Sequence, residues 1–91
     1  SHVARLRIVK LLADGPLPVG EIATKMGLTQ SGVSQHLAIL TRAGVLKVEP
    51  RKASRLYSLR GPRIPAIVAL AEEFCRVHGL YPVEAVAPAT N

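Results

Sequence analysis

One stretch constrains this chain more than any other. From Leu28 to Leu40 one side is apolar and the opposite side is polar yet uncharged. Val33, Leu37 and Leu40 recur at i, i+4 and i+7, the spacing of a helix that packs one face inward. Thr29 stands just ahead of the run, where a hydroxyl can accept a hydrogen bond from the N–H groups of the first turn. The other face carries Gln30, Ser31, Ser34, Gln35 and His36 in place of the Lys and Glu that fill ordinary solvent-facing helices. Short amides and hydroxyls are the groups that hydrogen-bond base edges in a DNA major groove. Taken alone, a merely polar surface helix would read the same way, so the flanking residues decide.

Upstream, Val19, Ile22, Ala23 and Met26 lie at helical spacing, and Gly27 follows where a left-handed C-cap residue belongs. The small Ala23 lets a following helix cross closely. A short helix, a glycine-containing turn and a second helix with an uncharged polar face make a helix-turn-helix. Downstream, Ala43-Gly44 ends the second helix, Gln30 to Arg42. Val45–Glu49 and Arg55–Leu59 then read as short strands around a basic tip, Pro50–Ser54. The predicted fold is mainly α with a small β-hairpin, a winged helix-turn-helix. Its expected core is Leu6, Val9, Leu12, Ile22, Met26, Val33, Leu37, Leu40, Leu46 and Leu59.

Charge supports a nucleic-acid partner. Residues 1–60 hold ten Lys or Arg against three Asp or Glu, a net of +7, while residues 61–91 net −1. The excess positive charge therefore sits in the half that carries the helix-turn-helix, as a phosphate backbone requires. Gln30 and Gln35 can bond adenine bidentately, and Thr29, Ser31 and Ser34 can meet bases or phosphates. His36 either touches DNA or packs at the helix flank. Arg51, Lys52 and Arg55 of the wing are expected at the minor groove or at flanking phosphates. The competing class is a winged helix that contacts protein without specific DNA binding, which the polar face and the charge asymmetry argue against. No Ser/His/Asp set, phosphate-cradling Gly loop or paired carboxylate points to an enzyme. A single Cys precludes an internal disulfide, no apolar run approaches the ~20 residues of a membrane span, and no signal peptide pattern is present, so a cytoplasmic setting is expected.

Residues 62–79 read as a terminal helix with Pro62 in its first turn and Gly79 at its end. Ile64, Ile67, Val68, Ala71, Phe74, Cys75 and His78 form an apolar stripe along it. With the core already closed, that stripe calls for another surface, and a two-fold copy of the chain is the economical choice. Ninety-one residues make a small domain that gains from such a partner. Residues 1–79 are thus expected as one winged domain with a dimerisation helix at 62–79, and 80–91 as a flexible tail.

The run "LTQSGVSQHLAILTRAGVLKVEPRKASRLYSL", preceded by "RLRIVKLLADGPLPVGEIATKMG", resembles the ArsR/SmtB family of bacterial winged-helix repressors from Arg5 to Leu59. The resemblance implies a homodimer on a palindromic operator, released from DNA by a signal. It also implies a helix ahead of the Arg5–Ile8 segment, close to which this chain begins, and a Gly at the wing tip, where Ala53-Ser54 stands. The family's two familiar metal sites are not matched. Pro18, Val19, Gly20, Glu21 and Ile22 occupy its Cys-Val-x-Asp-Leu pattern, and Gly61, Arg63, Phe74 and Val77 occupy its terminal-helix ligand positions. No cofactor is expected, and the inducer is unknown. Cys75 and His78, i and i+3, are weak metal candidates across a two-fold seam. Cys75 could instead be a thiol sensor, or a small packing residue with His78 a cation at the helix end.

Overall fold

Four helices and a three-stranded antiparallel sheet make up residues 2–80, the part of the chain that the computed structural model describes. In chain order these are α1 (His2–Leu12), β1 (Leu17–Pro18), α2 (Val19–Met26), α3 (Gln30–Arg42), β2 (Leu46–Arg51), β3 (Ser54–Leu59) and α4 (Ile64–His78). The helix ends are set by local chemistry. Gly27 takes φ +69°, and its N–H and that of Leu28 close on the carbonyls of Thr24 and Ala23. Gly44, at φ +85°, ends α3 in the same way, with Val45 N–H donating to the Leu40 carbonyl at 3.0 Å.

The core lies where α1, α2 and α3 meet the inner face of the sheet. It consists of Ile8, Val9, Leu12, Ile22, Ala23, Met26, Val33, Leu37, Leu40, Leu46 and Tyr57. Two expectations change here. Ile8 is fully buried, whereas Leu6 is only half-buried and outside this cluster. Ile8, Val9 and Leu12 lie on one side of α1 (i, i+1, i+4), and Leu6 falls beyond it. Tyr57 takes a central place that Leu59 only flanks.

The sheet order is β1-β3-β2. Leu17 pairs with Tyr57 and Pro18 with Leu56, a strand too short to signal itself in the sequence. On the other side the β2–β3 ladder runs from Leu46↔Leu59 to Arg51↔Ser54, so the loop shrinks to Lys52-Ala53. From sequence alone this strand ends at Glu49 with Pro50 in the tip, yet β2 continues through Pro50 to Arg51. It is an edge strand, where a missing N–H facing solvent costs no ladder bond. Lys52 takes φ +44°, and is the one non-glycine residue with positive φ among the described residues. The positive φ that a tight hairpin loop demands thus falls on Lys52, not on Ala53-Ser54. Pro62 lies in the turn before α4, and Pro65 is the proline of its first turn. Leu80 donates its N–H to the Cys75 carbonyl at 2.9 Å, so it belongs to the α4 cap; the rest of the expected tail, 81–91, lies outside the described residues.

Candidate nucleic-acid interface

Thr29 starts the candidate interface. Its backbone is extended, its Oγ1 accepts the Gly32 N–H at 3.1 Å, and α3 begins at the next residue. Val33, Leu37 and Leu40 bury one side of that helix. Gln30, Ser31, Ser34 and Gln35 are exposed on the other, as their spacing predicts. Ala38 and Arg42 continue the same exposed face, at i+7 and i+11 from Ser31. Neither stands out in the sequence, because one is apolar and the other lies in the last turn, although the 3.6-residue period aligns both with Ser31. An alanine methyl can meet a thymine methyl, and an arginine a phosphate. No acidic side chain occurs anywhere in α3, so nothing on this face repels a phosphate backbone.

His36 departs from the group. It is half-buried, and its Nδ1 has no hydrogen-bond partner among the described residues. Desolvation comes first in pushing its pKa below the usual 6.5, and nearby positive charge including Arg5 of α1 adds to the effect. The ring therefore stays neutral at pH 7 and sits to one side of the exposed face.

The wing places its cations on different sides. Arg55 is opposite Pro50 and shares its face of the hairpin with Tyr57, while Arg51 is opposite Ser54 on the reverse face. Lys52 occupies the tip. All three are exposed. Glu49 lies two residues from Arg51 on the same face, and its Oε1 is 3.6 Å from Arg51 Nη2. An exposed pair of this kind is worth little, so a phosphate can take the place of Glu49.

In α4 the predicted stripe divides in two. Ile64 and Val68 pack against the domain's own core, and Glu72 on that side meets Lys10 of α1 at 2.9 Å. Half-buried Cys75 shares this inner side by helical spacing. The outer side exposes Ile67, Leu70, Phe74 and Val77, at spacings of 3, 4 and 3, the rhythm of a coiled-coil seam. Leu70 and Val77 were not part of the predicted stripe. Ala71 is exposed, and the His78 ring lies against Phe74 with centroids 4.3 Å apart. Cys75 and His78 thus face different surroundings. Among the described residues no three His, Cys, Asp or Glu side chains gather as a metal site would need, and no helix is long and apolar enough to cross a membrane.

A sequence model for the bacterial regulatory protein, arsR family, matches residues 2–48, just over half of the chain. The chain belongs to the ArsR family. It is 35% identical over 81 residues to the transcriptional activator HlyU of Vibrio cholerae, covering 89% of this chain and 69% of HlyU. It is 32% identical over 76 residues to the biofilm growth-associated repressor of Agrobacterium fabrum, covering 82% of this chain and 65% of that protein. Its fold matches the homodimeric winged helix-turn-helix DNA-binding domain (fragment 1–100) of Mb0332 from Mycobacterium bovis, with a TM-score of 0.72 and 28% identity over 82% of this chain and 69% of that one. The chain spans only part of the curated relatives' length, from 69% of HlyU through 65% of Rv0081 of Mycobacterium tuberculosis to 47% of NmtR of the same organism. ArsR proteins are transcriptional regulators rather than enzymes, and this chain has their DNA-binding winged helix-turn-helix.

Proposed function

We propose that this ArsR-family regulator acts in the cytoplasm as a homodimeric repressor on a palindromic operator, and that a signal still to be identified releases it. The carrying observation is the exposed, uncharged face of α3 beside a basic wing. Gln30, Ser31, Ser34 and Gln35 read bases in the major groove, Thr29 and Arg42 lie at its edges, and Arg51, Lys52 and Arg55 hold the flanking backbone. The seam of Ile67, Leu70, Phe74 and Val77 pairs with the same seam of a second copy, so two recognition helices address two half-sites. Ala71 and His78 flank that seam. Ile64, Val68 and Cys75 stand behind it, against their own domain. No bound cofactor enters the proposal, because both family metal sets are replaced.

Fluorescence anisotropy tests this reading, with DNA from upstream of the protein's own gene against a scrambled duplex at about 50 and about 200 mM salt, the range that exposes phosphate contacts. Preference for the upstream DNA that survives the higher salt is expected. Equal binding to both duplexes, erased by salt, refutes sequence-specific recognition and leaves a winged helix that serves a protein partner. A promoter reporter then fixes the sign, with output rising when the gene is deleted.

A further inference from the structure

We propose that Gly20 of α2 is a positioning residue, a gap that sets the direction in which Gln30 addresses DNA. Nothing in the backbone demands a glycine there. Gly20 is not among the glycines with positive φ, and it lies within the first turn of α2, where alanine would be the better helix former. The Thr24 hydroxyl donates to the Gly20 carbonyl at 3.0 Å, so this turn is held closed and not used as a hinge. What the missing side chain leaves room for is specific. A Cβ at Gly20 would stand 3.2 Å from Gln30 Nε2, and no other atom beyond its own helical backbone and chain neighbours lies within 4 Å.

Gln30 is the first residue of α3, so its carboxamide reaches back over α2 and ends above the gap. Filling the gap displaces that carboxamide by a few tenths of an ångström. Bidentate hydrogen bonds to a base tolerate little more than this before one of the two is lost. The residue type at position 20 therefore tunes where Gln30 holds its carboxamide, although it touches no base itself. The proposal rests on the reading of α3 as the recognition helix.

The test is binding selection from a duplex library with a randomised core, read by sequencing, for the full chain. The proteins are the wild type, Gly20→Ala, Gly20→Leu, Gln30→Ala and Gly20→Ala with Gln30→Ala. Gln30→Ala is expected to flatten the preference at one base position by about fivefold or more. Gly20→Ala is expected to change the preference at that position alone, and Gly20→Leu to change it further. The double variant should match Gln30→Ala, and thermal unfolding of Gly20→Ala should occur no lower than wild type.

Wild-type preferences in both Gly20 variants overturn the proposal. So does a Gly20 effect that persists without Gln30, since position 20 would then act by another route. If Gln30→Ala flattens no position while the wild type still selects sequences, Gln30 is no base reader and the proposal falls while the regulator remains DNA-specific. If the wild type selects no sequence, the reading of α3 falls as well.

Discussion

Leu70→Ala isolates the seam on α4. Leu70 is 71% exposed in the single chain, so its truncation removes little from the domain's own packing. Complete burial of a leucine side chain is worth about 1.5–3 kcal/mol, so covering the exposed 71% contributes about 1–2 kcal/mol per copy. A two-fold seam counts that contribution twice. Alanine retains its Cβ, so the lower end applies, and a loss of about 2 kcal/mol raises the dimer dissociation constant about 30-fold. Sedimentation equilibrium over a concentration series reads this directly. Leu28→Ala is the control, because Leu28 is also exposed, at 43%, but lies in the turn between α2 and α3. Dissociation within about threefold of wild type for Leu70→Ala, well under 1 kcal/mol, would refute the seam. So would an equal weakening by Leu28→Ala, which would mean that any exposed apolar residue matters as much.

Three further outcomes follow from the same geometry. Thr29→Ala leaves the Gly32 N–H without its cap and should destabilise the domain by about 1 kcal/mol in urea unfolding, whereas Thr29→Ser should restore most of the loss; an unchanged midpoint for Thr29→Ala would count against the cap. Arg51→Ala with Lys52→Ala should weaken binding to all duplexes alike and flatten the logarithmic salt dependence by about 0.9 per phosphate contact removed, with an unchanged slope placing those cations off the backbone. His36 contributes through its neutral form. Its folded pKa lies below the usual 6.5, so the unfolded chain takes up the proton first, and stability present in full above pH 6.5 is lost as pH falls below it. His36→Gln should therefore lose less stability than wild type between about pH 7.5 and about pH 5.5 in thermal unfolding, and equal losses would remove His36 as a source of acid sensitivity.

Much of the framework of the candidate interface is legible in the sequence, because its signals are local. The Thr29 hydroxyl, the apolar repeat Val33, Leu37, Leu40 and the glycines at 27 and 44 act within a turn or two of chain, and α3 runs over Gln30–Arg42 as read. The wing was legible as a hairpin but not in length, since Pro50 is acceptable only once β2 is known to be an edge strand. Gly20 was invisible as a feature, because its partner Gln30 belongs to another helix.

The helix-turn-helix, the polar face of α3, the basic half and the surplus apolar residues on α4 are all written in the sequence. Each follows from periodicity, capping or charge, which are properties of a few neighbouring residues. What covers what is a matter of the packed fold. That fold drew Ile8 into the core in place of Leu6, left His36 half-buried, paired β1 with β3, and divided α4 between an inner side at Ile64 and Val68 and an exposed outer stripe at Ile67, Leu70, Phe74 and Val77. Helical spacing reveals that an apolar stripe exists, but which surface removes it from water depends on residues distant in the chain, and only the packed fold brings those together.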